Sequence, residues 1–106
     1  MQFVTANKIL IDGKLSSGQA IAIKNGEIEG VLSLDDLPAD AVLENHGNTI
    51  IAPGFFDLQV NGGGGILLND EPNLSGIKSV AAAHRTLGTT SLLPTLITDT
   101  WEKMEK

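Results

Sequence analysis

The chain has 106 residues, of which 42% are hydrophobic, so its size fits one small globular domain or parts of larger ones. Its net charge of −6 disfavours nucleic acid and anionic membranes as partners, and no apolar run approaches the roughly 18 residues that a membrane-spanning helix needs. The absence of cysteine excludes disulfide bonds and thiolate metal sites and fits a reducing compartment, so we expect a cytoplasmic protein.

Residues 1–52 are expected to form a small all-β unit of short strands separated by turn residues. Two alternating runs, residues 20–24 and 27–32, are separated by Asn25-Gly26. This pair predicts a hairpin with a type I′ turn, because both residues tolerate the positive φ that such a turn demands. Further strands are predicted over residues 8–11, 41–44 and 49–52.

A strand that begins at Pro53 opens the second half, and its two faces differ in chemistry. With a side-chain period of two, Asp57, Gln59 and Asn61 share one face, opposite the apolar face. The apolar face carries Phe56, Leu58 and Val60. The polar residues converge on the end of the strand, just before the glycines 62–65, and this is the end where α/β sheets bind ligands.

The remaining residues predict a helix, a strand and the start of another helix. Apolar residues at helical spacing predict a helix over residues 76–87, with Asn73 or Ser75 as the N-cap and Gly88 as the stop. Residues 91–97 predict a buried strand in which Pro94 marks a bulge or an end, because proline cannot donate to a ladder. The order strand, helix, strand predicts a β-α-β unit over residues 53–106.

The final residues, from Asp99 onward, predict a short helix. Asp99 and Glu102 have the spacing of a capping box, which would mark its first turn. The run from Thr98 to Thr100 is therefore interpreted as a helix cap rather than as a catalytic site.

Three kinds of self-contained site, for phosphate, for zinc and for a catalytic serine, are disfavoured by residue type and spacing. The glycines 62–65 could expose backbone N–H groups to a phosphate, but no Lys-Ser or Lys-Thr follows and no helix begins directly after Gly65. A zinc site needs three or four ligands, whereas the chain has only two histidines, His46 and His84, which we interpret as structural. Neither histidine lies beside a Gly-x-Ser-x-Gly elbow.

The run from Pro53 to Gly62 resembles the first barrel strand of the amidohydrolase superfamily, and within it the N-acetylglucosamine-6-phosphate deacetylases. Most superfamily members carry Pro-Gly-x-x-Asp-x-His-x-His there, and Gln59 and Asn61 stand at the two histidine positions. This substitution resembles one branch of the deacetylases. Three further stretches agree with the resemblance: the Asn25-Gly26 hairpin, residues 62–70 with their Asn69-Asp70 ending, and residues 88–98 as the second barrel strand.

The resemblance implies an α/β protein with an all-β N-terminal part, a partial amidohydrolase fold. Residues 1–52 would form half of a small β-sandwich, and residues 53–106 the first β-α-β unit of a truncated (β/α)₈ barrel. It places Gln59 and Asn61 at the wall of a pocket, with the glycines Gly62, Gly63, Gly64 and Gly65 as the loop beside it. Asp57 would orient the strand end, although a purely structural role for it is equally open.

For the intact enzyme the resemblance implies hydrolysis of the acetamide of N-acetylglucosamine-6-phosphate to glucosamine-6-phosphate and acetate. A divalent metal, with zinc expected, and an aspartate would act in that reaction, and the exchange of two imidazoles for amides would weaken or abolish one metal position. The remaining metal ligands and the catalytic aspartate lie later in such chains. We therefore expect no catalytic residue and no bound metal in this chain alone.

Three hypotheses about the polypeptide stay open. It is an inactive portion of a deacetylase, or a self-associating structural module, or one chain of an enzyme that a second chain completes. Two parallel strands cannot close a barrel, so we expect a homo-oligomer or the remainder of the enzyme to cover the exposed strand edges. The substrate of the intact enzyme is an amino-sugar phosphate, and the galactosamine epimer is an alternative to glucosamine.

Overall fold

The computed structural model describes residues 1–105, which divide into two compact units, one ending at Pro53 and the other beginning at Gly54. The strands of the first unit are β1 (Gln2–Thr5), β2 (Lys8–Ile11), β3 (Lys14–Ser16), β4 (Gln19–Lys24), β5 (Glu27–Ser33), β6 (Leu43–Asn45) and β7 (Ile50–Ile51). The second unit contains β8 (Phe55–Val60), β9 (Gly62–Gly63), β10 (Ile66–Leu67), α1 (Leu74–Arg85), β11 (Thr89–Pro94) and α2 (Trp101–Met104). The described chain is therefore mostly β, and neither of its helices has the length and apolar character to cross a bilayer.

The first unit contains two small sheets. One has the strand order β5-β4-β1-β6 and the other the order β3-β2-β7. The hairpin between β4 and β5 turns at Asn25 and Gly26, whose φ angles are 53° and 82°, so the predicted type I′ hairpin is confirmed. Strands β1 and β3 are additional to the strands that the sequence predicts. They have only four and three residues, which is too short for a clear alternation of polar and apolar side chains.

The first unit has its own buried residues, most of them small. Phe3, Ile9, Ala20 and Ala22 are buried apolar residues. The buried Thr5 hydroxyl donates to the carbonyl of Gln19 at 2.6 Å, which satisfies a polar group that would otherwise be costly to bury. This unit therefore has a packed core of modest size.

The second unit is a parallel strand pair crossed by a helix. Strands β8 and β11 pair in parallel, with α1 between them in sequence, so the predicted β-α-β order is present. The core consists of Val60, Leu68 and Val80, all almost fully buried. The register of β11 shifts between Leu92 and Pro94, where the strand ends, as proline predicts. The strand occupies Thr89–Pro94 instead of residues 91–97, because Pro94 stops it early.

The helix α1, Leu74–Arg85, begins and ends two residues before the predicted range of 76–87. The side chain of Asn73 accepts a hydrogen bond from the N–H of Gly76 at 2.9 Å, so Asn73 is the N-cap. The predicted capping box between Asp99 and Glu102 is wrong. Thr100 is the N-cap residue of α2, and Asp99 instead accepts the N–H of Thr100 at 2.8 Å and pairs with Lys103.

The apolar face of β8 is only partly buried by the described residues. Val60 is 2% exposed because it packs in the core, whereas Phe56 is 59% and Leu58 is 70% exposed on the same face. A two-stranded sheet by itself is marginally stable in water. Within residues 1–105, β8 and β11 each pair only with the other, so each also keeps an unpaired edge.

Candidate functional site at the end of strand β8

The polar face of β8 carries the three residues that the sequence singles out. Gln59 is exposed, whereas Asp57 and Asn61 are partly buried. The carboxylate of Asp57 accepts the backbone N–H of Gln59 at 3.1 Å, and this contact holds Asp57 against its own strand. Asp57 thus contacts the strand end, but its role there stays a prediction.

Asn61 connects the end of β8 to the residues that follow β11. The side-chain Nδ2 of Asn61 donates to the backbone carbonyl of Thr95 at 3.0 Å. The backbone carbonyl of Asn61 accepts the N–H of Leu68 at 2.8 Å. Because a backbone carbonyl can only accept, the amide orientation is determined: Nδ2 faces Thr95. Oδ1 is therefore the acceptor, and the second N–H of Nδ2 the donor, that Asn61 can offer to a ligand.

The four glycines after Asn61 form a small hairpin. Gly62 pairs with Leu67 and Gly63 with Ile66, so the predicted loop is the pair β9 and β10. Gly64 and Gly65 make the turn with φ angles of 62° and 81°, a conformation that glycine adopts without steric cost. This hairpin is additional to the elements predicted from the sequence, although a Gly-Gly pair between two short runs is a recognised signal for one.

His84 in α1 forms a hydrogen bond with the glycine hairpin. Its Nε2 atom donates to the carbonyl of Gly62 at 2.9 Å. A Cβ atom at position 63 would lie 2.9 Å from the His84 ring, so only glycine permits this approach of helix and hairpin. His84 thus has a structural contact, as predicted, and His46 pairs with Glu44 in the other unit at 3.1 Å.

The metal that the resemblance implies can be tested against the side chains present. Among residues 1–105 there is no group of three or more His, Cys, Asp or Glu side chains that could hold a metal ion. The end of β8 offers two neutral amides and one carboxylate, and amide oxygens are poor zinc ligands. These residues do not fit a complete metal centre.

A second concavity lies between α1 and β11, away from the polar face of β8. Its volume is about 560 Å³, and its lining includes Lys78, Arg85 and Thr90. All three residues are exposed, and the concavity adjoins the strand β11, which pairs only with β8 in the described chain. We therefore interpret it as an uncovered sheet edge rather than as a binding site.

Comparison with known proteins gives consistent results in sequence and in structure. The chain is 40% identical to the N-acetylgalactosamine-6-phosphate deacetylase of Shewanella sp. (strain ANA-3), over 92% of this chain and 25% of the relative. It is 38% identical to the N-acetylglucosamine-6-phosphate deacetylase of Haemophilus influenzae, over 72% of this chain and 20% of the relative. No protein-family model matches the chain.

The fold is similar to that of a solved deacetylase. The crystal structure of N-acetylglucosamine-6-phosphate deacetylase from Pasteurella multocida matches with a TM-score of 0.87 and 27% identity, over 98% of this chain and 27% of that chain. The chain therefore spans about a quarter of the length of the relatives it matches. The resemblance to amino-sugar-phosphate deacetylases is confirmed: the chain is similar to the N-terminal portion of N-acetylgalactosamine-6-phosphate and N-acetylglucosamine-6-phosphate deacetylases.

Proposed function

We propose that the chain is the N-terminal portion of a metal-dependent amidohydrolase that releases acetate from N-acetylglucosamine-6-phosphate. The observation that carries the proposal is the sequence likeness to deacetylases over nearly the whole chain, 92% of it in one case. The structural likeness to the Pasteurella multocida enzyme supports it independently. Because the chain spans about a quarter of these relatives, the activity and the substrate are proposals for the complete enzyme.

In this proposal β8 and β11 are the first two strands of a barrel, and the first unit is part of a β-sandwich. Strands β8 and β11 pair in parallel with the helix α1 between them in sequence, and a (β/α)₈ barrel repeats this arrangement. The exposed Phe56 and Leu58 support it, because the remaining strands and helices of a barrel would cover this face. The unpaired edges of β8 and β11 would pair with those strands.

The end of β8 then forms one wall of the pocket. Asn61 would present Oδ1 as a hydrogen-bond acceptor, since its Nδ2 is engaged by Thr95. Gln59 is exposed and can offer either a donor or an acceptor to a ligand. The glycine hairpin, held by His84, would border the pocket. A divalent metal such as zinc would be bound by residues outside this chain.

The chain alone is expected to be inactive, because its described residues include no group of three or more His, Cys, Asp or Glu side chains that could hold a metal ion. The test is release of acetate from N-acetylglucosamine-6-phosphate by the purified 106-residue chain with added zinc. Measurable turnover would refute this part of the proposal. Elemental analysis after dialysis should find no stoichiometric zinc, and one tightly bound equivalent would contradict the expectation.

The deacetylase proposal itself is tested with a chimera. Residues 1–106 of this chain replace the matching N-terminal quarter of the Pasteurella multocida enzyme, and the remainder of that enzyme without any N-terminal segment is the control. We expect acetate release from the chimera and none from the control. A folded, metal-loaded chimera without activity would count against the proposal.

The galactosamine epimer is a second candidate substrate. It is favoured by the likeness to the Shewanella enzyme, which covers more of the chain than the likeness to the Haemophilus influenzae enzyme. Assaying the chimera and its parent, the complete Pasteurella multocida enzyme, with both epimers would show whether this portion influences the choice. Equal kcat/KM ratios in chimera and parent enzyme would place substrate selection outside this portion.

Self-association is the alternative from a different functional class. Exposed apolar residues and unpaired strand edges on β8 and β11 are the features that a second copy could cover. Size-exclusion chromatography with light scattering separates the alternatives. A monodisperse monomer would argue against a self-associating module, and a stable oligomer would favour it.

A further inference from the structure

Asn69 is a buried polar residue that carries an unusually complete set of hydrogen bonds. It is 7% exposed and lies two residues after the end of the short strand β10. Its Nδ2 donates to the carbonyl of Ile97 at 2.7 Å, and its Oδ1 accepts the N–H of Ile97 at 2.8 Å. One side-chain amide thus makes both hydrogen bonds that a neighbouring strand would make to Ile97.

The orientation of this amide follows from its partners. The N–H of Ile97 can only donate and its carbonyl can only accept, so the two ends of the Asn69 amide cannot exchange places. A third, longer contact runs from Nδ2 to the carboxylate of Asp99 at 3.4 Å. That carboxylate also pairs with Lys103 at 3.2 Å, so the donor of Asn69 faces acceptors on two sides.

The segment that Asn69 holds is the one that also contacts the candidate site. Residues 95–99 lie in no helix or strand. At Thr95, the N–H donates to the carbonyl of Val60 at 2.8 Å and the carbonyl accepts Nδ2 of Asn61 at 3.0 Å. Two asparagine side chains, Asn61 and Asn69, therefore hold one irregular segment at positions two residues apart.

We propose that Asn69 is a positioning residue that holds residues 95–99 in place and thereby sets the orientation of the Asn61 amide. With Thr95 in place, Nδ2 of Asn61 is engaged and Oδ1 is available to a ligand. If Asn69 releases Ile97, Thr95 keeps the hydrogen bond from its N–H to Val60, but its carbonyl is free to turn about ψ and the Asn61 amide can rotate with it. The relevance to catalysis rests on the proposed function, but the positioning itself does not.

The test is NMR spectroscopy of the ¹⁵N-labelled 106-residue chain and its Asn69→Ala variant. Alanine leaves the N–H and the carbonyl of Ile97 without their partners. We expect the hydrogen-exchange protection of the Ile97 amide to fall at least tenfold, while that of Val80 in α1 changes less than twofold. We also expect the side-chain NH₂ signals of Asn61 to shift, which a residue that only stabilised the unit would not cause.

Asn73→Ala is the matched control, because it also removes an asparagine side-chain hydrogen bond in the second unit. Asn73 caps α1, and its hydrogen bonds among the described residues go to Glu71, Gly76 and Ile77 and not to residues 95–99. This variant should reduce the protection of α1 amides and leave the NH₂ signals of Asn61 where they are in the unmodified chain. Unchanged Asn61 signals in a folded Asn69→Ala variant would overturn the proposal.

Two further measurements decide the question if Asn69→Ala unfolds. Asn69→Asp keeps an acceptor for the Ile97 N–H and loses the donor, so Ile97 should stay protected while the Asn61 signals move. In the unmodified chain, the Ile97 amide should exchange at least tenfold more slowly than in an unstructured peptide. Exchange at the unstructured rate would overturn the proposal. None of these measurements uses the deacetylase reaction, so their outcome is independent of the acetate assay.

Discussion

Two apolar residues on the same face of β8 should respond very differently to truncation. Val60 packs against Leu68 and Val80 and is 2% exposed, whereas Leu58, two residues earlier, is 70% exposed. We consider Val60→Ala with Leu58→Ala as its matched control. The two variants together test whether the contacts of Val60 with Leu68 and Val80 stabilise the second unit, or whether a second copy of the chain or another partner covers the apolar face of β8.

The expected magnitudes follow from burial. Val60→Ala removes two carbon groups worth about 0.8 kcal/mol each, and an incompletely relaxed cavity adds about 1 kcal/mol, so the free energy of unfolding should fall by about 2 to 3 kcal/mol. The three carbon groups of Leu58 would be worth about 2.4 kcal/mol if fully buried. With less than a third of the residue shielded from water, Leu58→Ala should cost about 0.7 kcal/mol or less.

The assay is urea titration of each variant, followed by NMR signals of α1 so that the two units are observed separately. Each titration is repeated at two protein concentrations. A cost of Leu58→Ala similar to that of Val60→Ala would refute the reasoning, because it would mean that Leu58 is buried in solution. If that cost grew with protein concentration, a second copy of the chain would be the covering partner.

Three other substitutions test local features of the fold. Asn73→Ala should lower the stability of α1 by about 1 kcal/mol in the same urea titration, because the Gly76 N–H loses its cap, whereas Asn73→Ser should cost only a few tenths. Gly26→Ala should destabilise the first unit by about 1 to 2 kcal/mol in thermal unfolding, because φ is 82° there; Gly30→Ala, with open space and an ordinary φ, is the control. The pKa of Asp99 is lowered first by the hydrogen bond from the N–H of Thr100 and second by the one from Lys103. The contribution of Asp99 to stability is therefore present above about pH 3.9, the ordinary pKa of an aspartate, and is lost as the pH falls through the lowered folded pKa. A ¹³C titration of Asp99 should show this low pKa and a rise in Lys103→Ala; an unchanged pKa in that variant would contradict the assignment.

The features that the sequence predicted correctly depend on a few adjacent residues. Asn25-Gly26 determines a hairpin because the two residues tolerate positive φ, and Pro94 ends β11 because it cannot donate. Asn73 predicts the start of α1 because its side chain reaches a backbone N–H three residues on. In each case the residues that determine the structure lie within three positions of one another in the sequence.

The hydrogen bonds that were not predicted around Asn61 and Asn69 depend on residues far apart in sequence. The hydrogen bonds between Asn69 and Ile97 span 28 residues, and the one between Asn61 and Thr95 spans 34. Asp99 was predicted to cap a helix with Glu102, but it lies next to Asn69 and Lys103 instead. No local pattern indicates such pairs, because their geometry exists only once β8 and β11 lie side by side.

Consecutive residues were sufficient to predict the two halves of the chain, the order strand, helix, strand in the second half and the likeness to the deacetylases. Turn chemistry, side-chain period and the run from Pro53 to Gly62 can all be recognised in short stretches of sequence. The packing of distant segments was needed to show that Asn61 faces Thr95 with its nitrogen, that Asn69 contacts Ile97, and that Leu58 is exposed while Val60 is buried. Burial and hydrogen-bond partners depend on which distant segments pack together, and the residues of one strand do not specify that.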